Sequence, residues 1–415
     1  MIGLVDGNNF FVSCERVVDP RLNGRPVAVL SNNDGCCVSR SNEFKALGIP
    51  MGTPYFRLKD RERSGELVFR SSNYELYGDL SRRIVSILRD VATDVEQYSI
   101  DEAFIHPPKR GAKELFEYGV RVRARILKWV GIPCGVGFAS TKTLAKIANH
   151  AAKRRPEGVC VLEGDDVEAE LADLPVGEVW GVGRRLAPKL KAERIFTAGD
   201  LAKAPSDVVR SLGGVVLLRT AVELRGESAV DERDYEADPD SVSCSRSFGE
   251  PVTTLDALME SVASFTAQAA TKLRKHGLVA SGCNVAAQMG TACDSSWVSR
   301  TVAFDHPTDA TNEMLSAIRR EANALFVEGA RYRKSGVVFF GIEKAGAMRQ
   351  DDLFVAAPPT SKSNLYKAVD ALNARLGRGT VFSAAEGVGA PKWKMRRSML
   401  SRRATTDWNE LITVT

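Results

Sequence analysis

The sequence predicts an α+β chain built from several domains. Three observations predict it. Strand-type runs alternate with amphipathic helical stretches over the first 165 residues, the texture changes past Leu171 to short helices joined by a Gly-x-Gly turn, and strand-type runs return after an acidic stretch at 226–242. A length of 415 residues exceeds one ordinary core and fits about two to four such domains.

The elements follow in order. IGLVD is a short apolar run ending on Asp6, a buried strand. PVAVLSNNDGCCVS reads as two strands around Asn33-Asp34-Gly35, a hairpin signal. NEFKALG is a short helix closed by Gly48 and Pro50. From Tyr74 to Val91, Leu76, Leu80, Ile84, Ile87, Leu88 and Val91 recur at helical spacing. VEQYSI and EAFIH are strands that meet at the acid pair Asp101-Glu102. A helix near 113–130 puts Leu115, Val122, Ile126 and Trp129 on one face. GIPCGVGFA is a strand, TKTLAKIANHAAK a helix and EGVCVLE a strand. Without the inserted segment after the first strand, this order fits helices packed on one antiparallel sheet. LPVGEVWGVGRRLAPKLK reads as short helices, and KSGVVFFGIE alternates as a strand of a later domain. No internal repeat stands out.

Composition narrows the classes. Apolar content of 44% and charged content of 26% belong to a globular chain, not a disordered or fibrous one. A net charge of +5 mildly favours a polyanionic partner. No run reaches the roughly 18 apolar residues of a membrane span, so no membrane partner is expected. MIGLVDGNNFF lacks the basic start of a secretory signal. Eight cysteines without a CxxC pair, and only four histidines, speak against structural zinc and for reduced thiols, hence a cytoplasmic location.

The acid pair carries the chemistry. Charged carboxylates beside Ile100, Ala103 and Phe104 need a reason, because an unpaired buried charge is costly. Neighbouring strand residues point to opposite faces, so two adjacent acids serve one site most easily at a strand end. Asp6 ends the first strand of the same sheet, so three carboxylates can converge at one edge. Such acids either repel, which raises their pKa values, or are neutralised by a cation. Hard Mg²⁺ prefers oxygen ligands and keeps positions open for phosphate and water. Two such ions about 3.5–4 Å apart clamp an in-line phosphoryl transfer. A solvated acidic hairpin turn is the alternative reading of the dipeptide taken alone.

DGNNFFVSCE, SNNDGCCVSRSNEFKALGIPMG, SSNYELYGDLS, YSIDEAF, GVGFASTKTLAKIANHAAK and VWGVGRRL occur in this order. Together they closely resemble the Y-family translesion DNA polymerases, and within them the UmuC type, over nearly the whole chain. The resemblance implies a right-hand polymerase. Its ferredoxin-like palm would span 1–10 and 75–165, its fingers 11–74 and its helical thumb 166–232. A linker at 233–242, an α/β little finger at 243–345 and a tail at 346–415 would follow.

By the same resemblance, Asp6 and Asp101 would bridge two Mg²⁺ ions, Glu102 would hold the ion that activates the primer 3′-OH, and the Gly7 carbonyl would be a further ligand. Phe11 matches the steric gate against a ribose 2′-OH, where many members carry Tyr, and Phe10 before it would also line the nucleotide site. Two packed core rings are the other reading of that pair. Lys45 and Lys153 match triphosphate contacts, with Lys45 where many relatives have Arg and Asn42 where Tyr is common. Gly181 and Gly183, with Arg184, Arg185 and Lys189 following on the next helix, resemble a helix-hairpin-helix that grips DNA backbone independently of sequence. Arg246 would touch the template backbone, and Gln350, Leu353 and Phe354 would anchor a sliding clamp. Primer-template DNA, dNTPs, a processed UmuD-like dimer and a recombinase filament are the partners implied, in an error-prone response to DNA damage. A palm-fold nucleotide cyclase would need neither a steric gate nor a helix-hairpin-helix. An inactive DNA-binding scaffold would survive EDTA, whereas catalysis would not.

Overall fold

The computed structural model describes residues 1–108, 111–230, 238–291, 294–345, 361–377, 379–389 and 391–411. The chain divides into two compact units, Met1–Ala237 with Met399–Thr415, and Asp238–Ser398. Among the described residues no helix is long and apolar enough to cross a membrane.

The first unit opens with β1 (Ile2–Gly7), an apolar run buried almost throughout. It leads directly into α1 (Phe10–Val18), then β2 (Val27–Leu30), β3 (Cys37–Arg40), α2 (Asn42–Ala46), α3 (Lys59–Arg63) and β4 (Val68–Ser71). The long helix α4 (Tyr74–Val91) starts where the Asn73 side chain accepts from the Leu76 N–H at 3.3 Å, an N-cap that fixes its first turn. Then come β5 (Asp94–Gln97), β6 (Glu102–His106), α5 (Ala112–Val130), β7 (Cys134–Ala139), α6 (Lys142–Ala152) and β8 (Val159–Val161). Four shorter or kinked helices, α7 (Asp165–Asp173), α8 (Ala187–Ala192), α9 (Ala198–Lys203) and α10 (Ser206–Leu224), complete the unit.

Two sheets organise these elements. The larger has the order β5-β6-β1-β7-β8, which puts β1 at its centre, antiparallel to both neighbours. The sheet is not wholly antiparallel as the sequence reading expects: β8 runs parallel to β7. The strand–helix–strand order of β7, α6 and β8 explains this, since a helix crossover returns the chain in the same direction. The smaller sheet has the order β3-β2-β4, with the hairpin between β2 and β3 closed through Asn33 and Asp34, both at positive φ. Asn and Asp tolerate this region better than most residues.

Helix α6 lies directly on β7. A Cβ on Gly137 would stand 2.1 Å from the Asn149 backbone nitrogen, so only glycine allows the approach. The Asn149 side chain then reaches across to donate to the Leu4 carbonyl at 3.2 Å. On α5, Leu115, Val122 and Ile126 are buried as the spacing predicts, but Trp129 is exposed, with Arg125 5.2 Å from its ring. Val130, four residues after Ile126, takes the last core position instead.

The second unit contains β9 (Val242–Val252), α11 (Leu255–Lys275), β10 (Leu278–Gly290), β11 (Ser295–Thr308), α12 (Thr311–Arg320), α13 (Ala322–Leu325), β12 (Tyr332–Lys344) and α14 (Ser361–Leu376). Its antiparallel sheet has the order β11-β10-β12-β9. Leu258, Val262, Phe265 and Leu273 of α11 share its core with Val285, Val337 and Phe339. The alternation read in KSGVVFFGIE is visible here: Val337 and Phe339 are buried, Val338 and Phe340 exposed. The sequence reading sets 346–415 apart as a tail. In the structure α14 and Trp393, whose ring packs 5.6 Å from Phe265, belong to the second unit, and the chain from Met399 on belongs to the first.

Candidate active site

The end of the larger sheet gathers the acids. In the register of β1 with β6, Asp6 stands opposite Glu102. Asp101 immediately precedes β6, and its carbonyl accepts from the Gly7 N–H at 2.9 Å, which ties the two strand ends together. The Ser99 hydroxyl organises the turn between β5 and β6. It accepts from the amides of Asp101 at 3.1 Å and Glu102 at 2.9 Å, and gives its own proton to the Asp101 carboxylate at 2.6 Å. Asp101 and Glu102 are thus placed at a strand end, as their adjacency requires.

Each carboxylate has a partner. Lys153, at the C-terminus of α6, meets Asp6 at 2.6 Å, and Lys146 meets Glu102 at 2.6 Å. Burial pushes the Asp6 carboxyl up to about 6. Lys153 pulls it down, and the nearby Glu102 and Asp101 charges push it further up. This is the signature of acids crowded into one partly dry place. Among the described residues, no group of three Asp, Glu, His or Cys side chains is gathered as a formed metal site. The lysines supply the positive charge instead.

Lys146 is held unusually well. Its ammonium lies 4.4 Å from the Tyr98 ring centroid, 5.2 Å from Trp180 and 5.8 Å from Phe104. The Trp180 indole N–H donates to the Tyr98 hydroxyl at 3.2 Å, locking two of the three rings. Lys142, one turn earlier and fully buried, pairs with Glu96 at 2.6 Å. A cavity of about 200 Å³ opens beside Asp6, Glu102, Lys146, Lys153 and Trp180.

The opposite wall comes from the segment between β1 and α4. Asn9, in the left-handed region with φ 48°, starts α1. Its side chain accepts from Lys45 Nζ at 2.6 Å and donates to Asn42 at 2.9 Å, so Asn42 and Lys45 of α2 converge on one side chain. Burial lowers the Lys45 pKa, and the positive charges of Arg40 and Lys153 lower it further, while Asp6 raises it. Lys45, Arg40, Lys153 and Asp6 therefore share one electrostatic neighbourhood.

The two phenylalanines part company. Phe10 is buried in the core and folds back so far that a Cβ on Gly7 would stand 2.8 Å from its ring. Phe11 is half-buried, stacks on Tyr77 at 4.5 Å and 14°, and meets the edge of Tyr74 at 5.9 Å. Sequence reasoning missed Arg40, Lys146, Tyr77 and Asn9. One signal was present: Lys142, Lys146 and Lys153 fall on one face of a helix whose end abuts the acidic strands.

Farther along the first unit, Gly181 takes φ 85° in an exposed turn with Gly183, Arg184 and Arg185. The sequence reading puts both arginines on the following helix. In the structure they lie in the turn ahead of it, and only Lys189 is on α8. In the second unit, Arg246 is half-buried on β9 and donates to Gln268 at 3.3 Å. Gln350, Leu353 and Phe354 lie outside the described residues, as do residues 231–237 of the acidic stretch.

Comparison with known proteins agrees with this architecture. The sequence model of the impB/mucB/samB family matches residues 5–150, and that of the family's C-terminal domain matches 239–353. A domain of unknown function, DUF4113, matches 363–414. The chain is 40% identical to Protein UmuC of Salmonella typhimurium over 100% of both chains. It is 31% identical to DNA polymerase IV of Moorella thermoacetica, covering 93% of this chain and 96% of that one. A Y-family DNA polymerase chimera of Dbh and Dpo4 superposes with a TM-score of 0.62 at 22% identity, over 83% of this chain and 100% of the other.

Proposed function

This chain belongs to the impB/mucB/samB family and is a UmuC-type Y-family DNA polymerase, and from that premise we propose that the β1/β6 strand ends are its nucleotidyl-transfer centre. It copies DNA templates in translesion synthesis as part of the response to DNA damage. The observation that carries the site assignment is the register that sets Asp6 opposite Glu102, with Asp101 tied to Gly7 beside them.

Catalysis depends on divalent metal. We assign Asp6, Asp101, Glu102 and the Gly7 carbonyl as ligands of two Mg²⁺ ions. The donors are all hard oxygens, and the raised Asp6 pKa marks a place that gains from added positive charge. When bound, the ions neutralise the triphosphate and acidify the primer 3′-OH. The chain's own residues position and screen. Ser99 fixes the direction of the Asp101 carboxylate. Lys146 and Lys153 hold Glu102 and Asp6, and these pairs must open for the acids to turn to metal. Lys45 and Lys153, with Arg40 beside them, form the cationic wall for the triphosphate. Phe11 is the ring that excludes a 2′-OH, and Phe10 supports it from the core.

The domains read from the resemblance are carried forward: palm on the larger sheet, fingers on the smaller, thumb over α7–α10 and little finger in the second unit. Gly181, Gly183, Arg184, Arg185 and Lys189 would take the duplex backbone, and Arg246 the template. Gln350, Leu353 and Phe354 would dock on a sliding clamp. A processed UmuD-like dimer and a recombinase filament complete the proposed assembly, in the cytoplasm and at low fidelity. Primer extension across damaged and intact templates with Mg²⁺ and dNTPs tests the reading. EDTA is expected to abolish extension while DNA binding persists; extension that survives EDTA would contradict it.

A further inference from the structure

The chain's last described segment returns to the first unit and pairs with a strand of the smaller sheet. Leu400 forms a parallel bridge with Ser71, the last residue of β4, which lies at that sheet's edge. The Ser71 amide donates to the Met399 carbonyl at 3.0 Å, and the Met399 amide donates to the Ser71 hydroxyl at 2.9 Å. Ser71 in turn gives its proton to the buried Asp34 at 2.6 Å. The Met399 side chain packs against the apolar cluster of Leu30, Cys37, Phe44 and Phe69. The contact is therefore part of the fold of this unit.

The next residue closes a ring of hydrogen bonds. The Ser401 hydroxyl accepts from Asn73 Nδ2 at 3.0 Å and donates to Glu15 Oε1 at 3.2 Å. The same Glu15 oxygen accepts from the Tyr77 hydroxyl at 2.6 Å. Asn73 caps α4, the helix that carries Tyr77. Ser71, Ser72, Asn73, Tyr77 and Glu15 are all buried, and Glu15 has 0% of its surface exposed. Its other carboxyl oxygen has no partner among the described residues, so the two bonds on Oε1, with the nearby Arg70 charge, offset its burial.

This ring stands directly behind Phe11. A flat ring excludes a single hydroxyl only if it cannot move aside, and the Phe11 ring rests face-to-face on Tyr77 at 4.5 Å. Tyr77 is packed in the core, and the bond from its hydroxyl to Glu15 fixes its outer end. We propose that the returning segment Met399–Ser401 is a positioning element that lies outside the nucleotide site and holds the sugar-screening ring Phe11 in place through Ser401, Glu15 and Tyr77. The inference rests on Phe11 being the gate. It gives a role to part of the stretch that matches the domain of unknown function.

Single-nucleotide insertion by the full-length chain tests it, with kcat/KM measured for a dNTP and for the matching rNTP. Ser401→Ala is expected to leave dNTP insertion within about twofold and to lower discrimination against the rNTP about fivefold, the worth of one net hydrogen bond. Tyr77→Phe should lower it similarly, and Ser401→Thr should restore it. A merely structural role would lower both insertions together and leave their ratio unchanged, which would overturn the proposal. Phe11→Ala separates the two levels. If it abolishes discrimination while Ser401→Ala and Tyr77→Phe leave the ratio at its wild-type value, the gate stands and the inference falls. If Phe11→Ala itself leaves the ratio unchanged, the gate assignment fails and takes the inference with it.

Discussion

At the scale of single residues, the site is a set of charges and rings each held by one or two named partners. Phe11 lies half-buried against Tyr77 and Tyr74, whereas Phe10 is core. Phe11→Ala is therefore expected to raise ribonucleotide insertion by about 10- to 100-fold, the range over which pocket shape discriminates one small group. Unchanged sugar selectivity would reject the assignment. Glu15 gives a pH prediction. Burial raises its pKa above the ordinary value, against the lowering effect of hydrogen bonds from Tyr77 and Ser401. A raised folded-state value means the native chain holds the proton more tightly than the unfolded one, so stability is lost as pH rises through that window. Glu15→Gln should then raise Tm by about 2–4 °C near pH 8, with the gain shrinking to nothing near pH 4. A lower Tm at the higher pH would contradict the sign. The acids Asp6, Asp101 and Glu102 were legible in the sequence because their neighbours are apolar and carboxylates rarely sit there without cause. Lys146 was not, because its cage draws Tyr98 and Phe104 from one stretch and Trp180 from another, both far from it in the sequence.

At the scale of elements, periodicity served well where a single face is buried. The spacing read from Tyr74 to Val91 matches α4 end to end, and the hairpin at Asn33-Asp34-Gly35 forms where its turn residues stand. It failed at helix ends, where Trp129 turns to solvent, and on strand direction, where β8 is parallel. Pairing partners are set by contacts far apart in sequence, which local patterning does not carry. The Gly-x-Gly turn shows the same limit on a smaller scale. Gly181 was predictable from the turn, but Arg184 and Arg185 lie exposed ahead of α8 rather than on it. Replacing Arg184, Arg185 and Lys189 with alanine should flatten the slope of log K for DNA against log salt by about 2–3, close to one per lost phosphate contact. An unchanged slope would remove these residues from the interface.

At the scale of the whole molecule, two compact units share one chain that crosses between them at 237/238 and again at 398/399. The first crossing was announced by an acidic, proline-containing stretch. The second was not, because MRRSMLSRR reads as a basic tail and nothing local marks Met399 and Ser401 as partners of the buried Ser71 and Glu15. Deleting residues 350–354 is expected to abolish binding to the sliding clamp while leaving unassisted insertion intact; clamp affinity equal to wild type would withdraw that motif. The central claim is that the strand ends holding Asp6, Asp101 and Glu102 perform nucleotidyl transfer, and one measurement meets it most directly. Primer extension with Mg²⁺ and dNTPs, with and without clamp and a UmuD-like partner, should be compared for wild type and Asp101→Ala/Glu102→Ala. The account predicts extension by the wild type and a loss of at least about 10³-fold in the double variant, with primer-template affinity retained. A double variant that extends primers as the wild type does would contradict it.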